Sequence, residues 1–153
     1  MKKSCYSILA LAALYLAGCG SSGSGSGGGG GNNATLVASW HEISLRQDGG
    51  ATVNCPGTVD LGGGNTDTCG ANDAATFSST GNITLSDAGG TQSGTYSLSG
   101  NNLTLTINVK NGAVLSPPKV ETAHITVSPT TLTVRPLKNG VEDGETLTFN
   151  KTA

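Results

Sequence analysis

The chain has 153 residues, 24 of them glycine, with only 12% charged and a formal net charge of −2. That length holds one domain with a real core, and the lack of any basic cluster excludes nucleic acid as an expected partner. Its polar surface must come from uncharged Thr, Ser and Asn side chains, a composition suited to β-structure.

The N-terminus carries an export layout. Met1-Lys2-Lys3 is cationic, and Ile8 to Ala17 is an apolar run ending in small residues. The run is too short for a mature membrane span. It closes in Leu16-Ala17-Gly18-Cys19, which resembles the lipobox of bacterial lipoproteins. The resemblance implies cleavage before Cys19, a diacylglycerol on its sulfur and acylation of the new N-terminus. Two or more acyl chains hold a protein on its membrane. Gly20 follows Cys19 in place of the aspartate that resembles an inner-membrane retention signal, so the expected address is the outer membrane. Cys5 falls in the discarded segment. Loss of residues 1–18 takes Lys2 and Lys3 with it and leaves six basic against ten acidic residues, a net of −4.

Residues 19–33 form the lipidated cysteine and a Gly/Ser-rich tether, Gly20 to Asn33, with nothing to bury and a mean reach of ~20 Å. A Gly-x-Ser-x-Gly at Gly23 to Gly27 lies in this low-complexity stretch. It is not on a strand-to-helix turn, so it is no nucleophile elbow.

Residues 34–153 make the domain. Leu36 to Arg46 reads as a long first strand, with Trp40 on one parity and Ile43 and Leu45 on the other, so a bulge or bend between them is expected. Short strands are expected near Ala51 to Asn54 and Ala74 to Phe77. Beyond residue 81 apolar and polar residues alternate: Ile83 and Leu85; Tyr96 and Leu98; Leu103, Leu105, Ile107 and Val109; Ile125 and Val127; Leu132 and Val134; Leu147 and Phe149. Gly89-Gly90, Ser99-Gly100-Asn101, Ser128-Pro129 and Asn139-Gly140 mark the turns. About eight one-faced strands in series predict a small all-β up-and-down antiparallel β-barrel, with a β-sandwich as the alternative.

The order of pieces resembles the small lipocalin-like domains of bacterial secreted proteins. Ala38-Ser39-Trp40 stands where those open with Gly-x-Trp; Cys69, Asp73 and Phe77 match a Cys-x-x-x-Asp-x-x-x-Phe segment. Gly94, Tyr96, Leu98, Gly100, Leu103 and Leu105 fit the following hairpin with one added turn residue. The likeness implies a barrel mouth for a small apolar or amphipathic ligand, with Phe77, Tyr96, Leu103, Leu105 and Phe149 as candidate lining. It also implies a basic residue packed over Trp40. Lys151, in phase with Leu147 and Phe149, is the candidate for that barrel-closing role; Arg135 is out of phase.

Cys55 and Cys69 are the only unlipidated cysteines left after processing, and an exported protein meets oxidising conditions, so they are expected to form a disulfide. Asp60, Asn65, Asp67, Asn72 and Asp73 surround that loop but miss the EF-hand order, and read as turn and capping residues. His41 and His124 read as ordinary, His124 on the outer face, and Glu142, Asp143 and Glu145 as a solvated hairpin tip. No nucleophile-base-acid set or zinc spacing appears, so neither catalysis, metal nor cofactor is expected. Four aromatics in the mature domain are few for a ligand grip, which keeps open a filled-core protein that contacts another envelope protein or a glycan.

Overall fold

A computed structural model describes residues 5–6, 35–62 and 64–152. The proposed signal cleavage site, Cys19 and the tether lie outside the described residues. Apart from a helical pair, Thr35 and Leu36, the described residues form strands, turns and their connections. These are β1 (Cys5–Tyr6), β2 (Ala38–Gln47), β3 (Val53–Asn54), β4 (Gly57–Gly62), β5 (Asn65–Cys69), β6 (Ala74–Phe77) and β7 (Asn82–Asp87). They continue as β8 (Gly90–Ser99), β9 (Asn102–Lys110), β10 (Ala113–Val127), β11 (Thr131–Lys138), β12 (Val141–Glu142) and β13 (Glu145–Lys151).

Eight of these close an antiparallel barrel. The order β10-β9-β8-β7-β6-β2-β13-β11 returns to its start because β10 also pairs with β11, from Thr122 opposite Leu137 to Val127 opposite Leu132. Closure removes the unpaired edges that an open sheet would expose. The alternation read in the sequence becomes the wall: Ile83, Leu85, Leu103, Leu105, Ile107, Ile125, Leu132, Leu147 and Phe149 are buried, while the Thr and Asn residues between them face outward.

The expected irregularity in the first strand is a bulge at Ile43. Ser44 pairs with Thr148 and Glu42 with Phe149, so β2 spends one extra residue there. The bulge puts Trp40, Glu42 and Leu45 all inside the barrel. A second shift, at Ser93–Gly94 in β8, explains the glycine before Tyr96. A Cβ on Gly94 would lie 1.9 Å from the Thr106 carbonyl oxygen, so only glycine lets β9 approach.

The barrel has two unlike ends. At one, the turns at 78–81, 100–101 and 128–130 gather with the start of β2 and the end of β13. Leu36 plugs it, fully buried, and accepts the Trp40 indole N–H on its carbonyl at 2.9 Å. At the other end sit the β7–β8 and β9–β10 turns, β12, and the long connection at 48–73. That connection folds into the β4–β5 hairpin, which with β1 forms a separate three-stranded sheet. Cys55 and Cys69 are disulfide-bonded, with Cα atoms 5.3 Å apart.

Candidate functional site

The sequence-designated lining residues gather in the half of the barrel nearest the plugged end, and there they pack against one another. Phe77, Leu103, Leu105 and Phe149 are buried in the core with Trp40. Tyr96 meets Phe77 edge to face, ring centroids 5.0 Å apart, and donates its hydroxyl to the Ser78 carbonyl at 2.8 Å. Lys151 lies opposite Trp40 in the β13–β2 register, but its side chain is exposed. Arg135 points outward, to Glu142 at 2.8 Å and Asp48 at 3.2 Å.

The other half is polar inside, which the sequence reading did not anticipate. Residues directly opposite on paired strands share a face, and alternation fixes the rest. Glu42 continues the inward face of Trp40, Glu121 that of Ala123 and Ile125, and Glu145 that of Leu147. Gln92 lies opposite Leu85. Glu121 is neutralised locally by Lys119, two residues away on the same strand; burial still lifts its carboxyl to about 7, with the lysine opposing the rise.

Glu42 has no such help. Its side chain is 0% exposed and neither carboxylate oxygen has a hydrogen-bond partner. Burial first, then the nearby Asp73 and Asp67, pushes its carboxyl up to about 9, so it holds its proton at neutral pH. Asp73, 3% exposed, extends the β2–β6 contact through its carbonyl, which accepts the Glu42 N–H at 2.9 Å. Its carboxylate caps the Gly70 N–H at 2.7 Å. Burial raises this carboxyl too, and the Gly70 bond works against the shift.

The hairpin closes over these acids. Val59, Asp67 and Cys69 lie on its one buried face; Asp67 pairs across with Val59 and Cys69 with Gly57. A Glu42 oxygen and the two disulfide sulfurs all lie within 4.8 Å of one another. Sulfurs bonded to each other offer no thiolate, so this trio is no metal site. Glu145 hydrogen-bonds Asp67, and burial followed by that bond drives its carboxyl well above the usual range. A hydrogen bond between two carboxyls requires that the pair keep one proton.

One sequence expectation needs correction here and another a qualification. Asp67 and Asp73 make the local backbone bonds expected of turn and capping residues, and they are also buried beside the barrel interior. Glu145 is not at a solvated tip: it begins β13 with one carboxyl oxygen buried. The signal for the interior acids was available in the pattern, since Glu42, Glu121 and Glu145 each sit two residues from a buried apolar residue on the same strand.

Outside the wall, a groove of about 410 Å³ runs along β10 and β11, lined in part by Asn101, Asn102, His124, Arg135 and Glu142. His124 is exposed, as its parity implied, and contacts Glu142 at 2.9 Å. The charges of this groove are spent on one another.

A closed eight-stranded up-and-down barrel with a plugged end and a hairpin over the other defines a lipocalin-like fold. The sequence agrees: the family profile of the lipocalin-like domain matches residues 36–134. The chain therefore belongs to the lipocalin-like domain family. No curated protein matches it. Among solved structures it is similar to a lipocalin-like protein from Bacteroides uniformis, at 16% identity over 77% of this chain and 99% of that one, with a TM-score of 0.49. It is also similar to an uncharacterized protein from Bacteroides eggerthii, at 13% identity over 76% and 99%, with a TM-score of 0.46.

Proposed function

We propose that the chain is a lipid-anchored protein of the bacterial outer membrane whose barrel binds a small amphipathic molecule at the end covered by the β4–β5 hairpin. The observation that carries the reading is the division of the interior. An aromatic and aliphatic half is filled, whereas Glu42 and Glu145 keep buried carboxyl oxygens without partners in the other half. Burying unpaired polar groups costs free energy that a purely structural barrel would save by using apolar residues. A bound ligand that completes their hydrogen bonds accounts for such groups. The packed half supports a second reading, a filled-core protein that contacts an envelope protein or a glycan through its outer face.

Neither reading includes catalysis. Native mass spectrometry on the full chain, exported by a bacterial host and purified in mild detergent, separates them. A discrete added mass, released by organic solvent, supports the ligand reading; a bare protein mass favours the filled core. The anchor has its own test. Cys19→Ser is expected to move the protein from the detergent phase to the aqueous phase, and continued membrane retention would remove lipidation from the proposal.

A further inference from the structure

We propose that the ligand seated under the hairpin is an organic cation, whose ammonium group pairs with Glu42. This inference rests on the ligand-binding reading and deepens it. Glu42 is wholly buried, aimed into the barrel interior, and unpartnered at both oxygens. The ionisable groups that face it are acids: Asp73 just before β6, Asp67 on β5, and Glu145 on β13. From β3 come only Val53 and Asn54, and Asp60 on β4 is exposed. On β2 itself, His41 acts on Asp73. Glu121 shows the contrast, because there the chain provides Lys119 as the counter-ion.

A metal ion is the poorer fit. A hard cation gathers several oxygens at 2–2.6 Å, so they must converge tightly. Among the described residues the only three-residue group of closely gathered ligand atoms is Glu42 with the two disulfide sulfurs, and bonded sulfurs do not ligate. Carboxyls that do not converge to metal-ligand distances instead suit an ammonium, which donates three directed hydrogen bonds.

Binding has a proton balance. The site holds Glu42 as the neutral acid; docking an ammonium favours the carboxylate, so one proton leaves to solvent for each cation bound. Affinity is therefore expected to rise between about pH 6 and about pH 9, as the proton becomes easier to lose.

The test is calorimetric titration of the full chain with three probes of equal chain length: hexylammonium, hexanol and hexanoate. Running the titration in buffers of different ionisation enthalpy counts the released proton. Hexylammonium is expected to bind at least about tenfold more tightly than the other two, with proton release, and Glu42→Gln is expected to reduce it to the level of hexanol. If Glu42→Gln does not fold, Asp67→Asn on the hairpin weakens the same preference from outside the barrel wall. Equal binding of the three probes, or a preference for hexanoate, overturns the cation inference and leaves the ligand reading standing. Calcium chloride alone raising the melting temperature of the wild type, but not of Glu42→Gln, overturns it in favour of a metal. Failure of all three probes, with a bare mass in the native spectrum, overturns both.

Discussion

Trp40 donates its indole N–H to the Leu36 carbonyl, 2.9 Å away and four residues earlier, so the residue that fills the plugged end also satisfies the backbone of the segment that plugs it. Trp40→Phe keeps most of the apolar bulk but strands that carbonyl in a buried place. It is expected to cost about 1–3 kcal/mol for the unpaired group, and Trp40→Ala about 3–5 kcal/mol. Urea midpoints followed by far-ultraviolet circular dichroism measure both, since the chain's single tryptophan is lost as a probe. If Trp40→Phe proves neutral, the bond is incidental and packing alone closes this end.

Gly94 is expected to tolerate no side chain. Its Cβ would meet the Thr106 oxygen at 1.9 Å and the Ile107 Cα at 2.8 Å, both backbone atoms that cannot swing aside. Gly94→Ala should destabilise by roughly 1–3 kcal/mol or more, as overpacking does. An unchanged melting temperature would show that the shift at Ser93–Gly94 is a flexible kink at which β8 and β9 can part.

These two positions mark what a sequence can disclose. Period-2 alternation made the wall strands from residue 81 onward readable, and the parity break between Trp40 and Ile43 announced the bulge. The β4–β5 hairpin was not readable. Apart from Val59, Leu61 and Cys69 its strand residues are Gly, Thr, Asp and Asn, and Val59 is the single buried aliphatic among them, so neither period nor propensity marks a strand. The first half of β10 was hidden by Pro117 and Pro118, which usually argue against a strand. Glu145 escaped because an acid beside Gly144 reads as a turn, and Glu42 because the bulge at Ile43 breaks its parity with Leu45. The two-residue spacing from Trp40 and Leu147 puts Glu42 and Glu145 on one parity with buried residues, and closure of the barrel makes that parity its interior.

The disulfide should matter to the lid more than to the wall. Cys55 and Cys69 enclose a sequence separation of 14, for which the chain-entropy account gives about 3 kcal/mol. Replacing both with alanine is expected to lower global stability by no more than that. Amide protection should fall first in β4 and β5, with the β7–β10 wall retained. Hydrogen exchange by mass spectrometry reads the two regions separately. Uniform loss of protection across the barrel would mean that the hairpin folds as one unit with the wall and is no separable cover.

The chain is expected to be more stable near pH 5 than near pH 9, the reverse of a protein held by paired carboxylates. Glu42 has a folded value of about 9 against 4.5 for the free group, and Glu121 about 7; the Glu145 carboxyl is raised as well. Between 4.5 and the folded value the native state holds a proton that the unfolded chain has released. Unfolding is therefore favoured progressively as pH rises through that window, by at most ~1.4 kcal/mol per pH unit for each group. Above its folded value a group is ionised in both states and adds no further loss. Glu42→Gln is neutral at every pH, so it should remove its share of the slope and raise stability near pH 8 relative to the wild type. Urea midpoints at about pH 5, 7 and 9 for both chains decide the matter. A wild-type midpoint that is flat or rises across this range would mean that Glu42 finds a partner or water in solution. The buried, uncompensated carboxyl on which the cation site depends would then not exist.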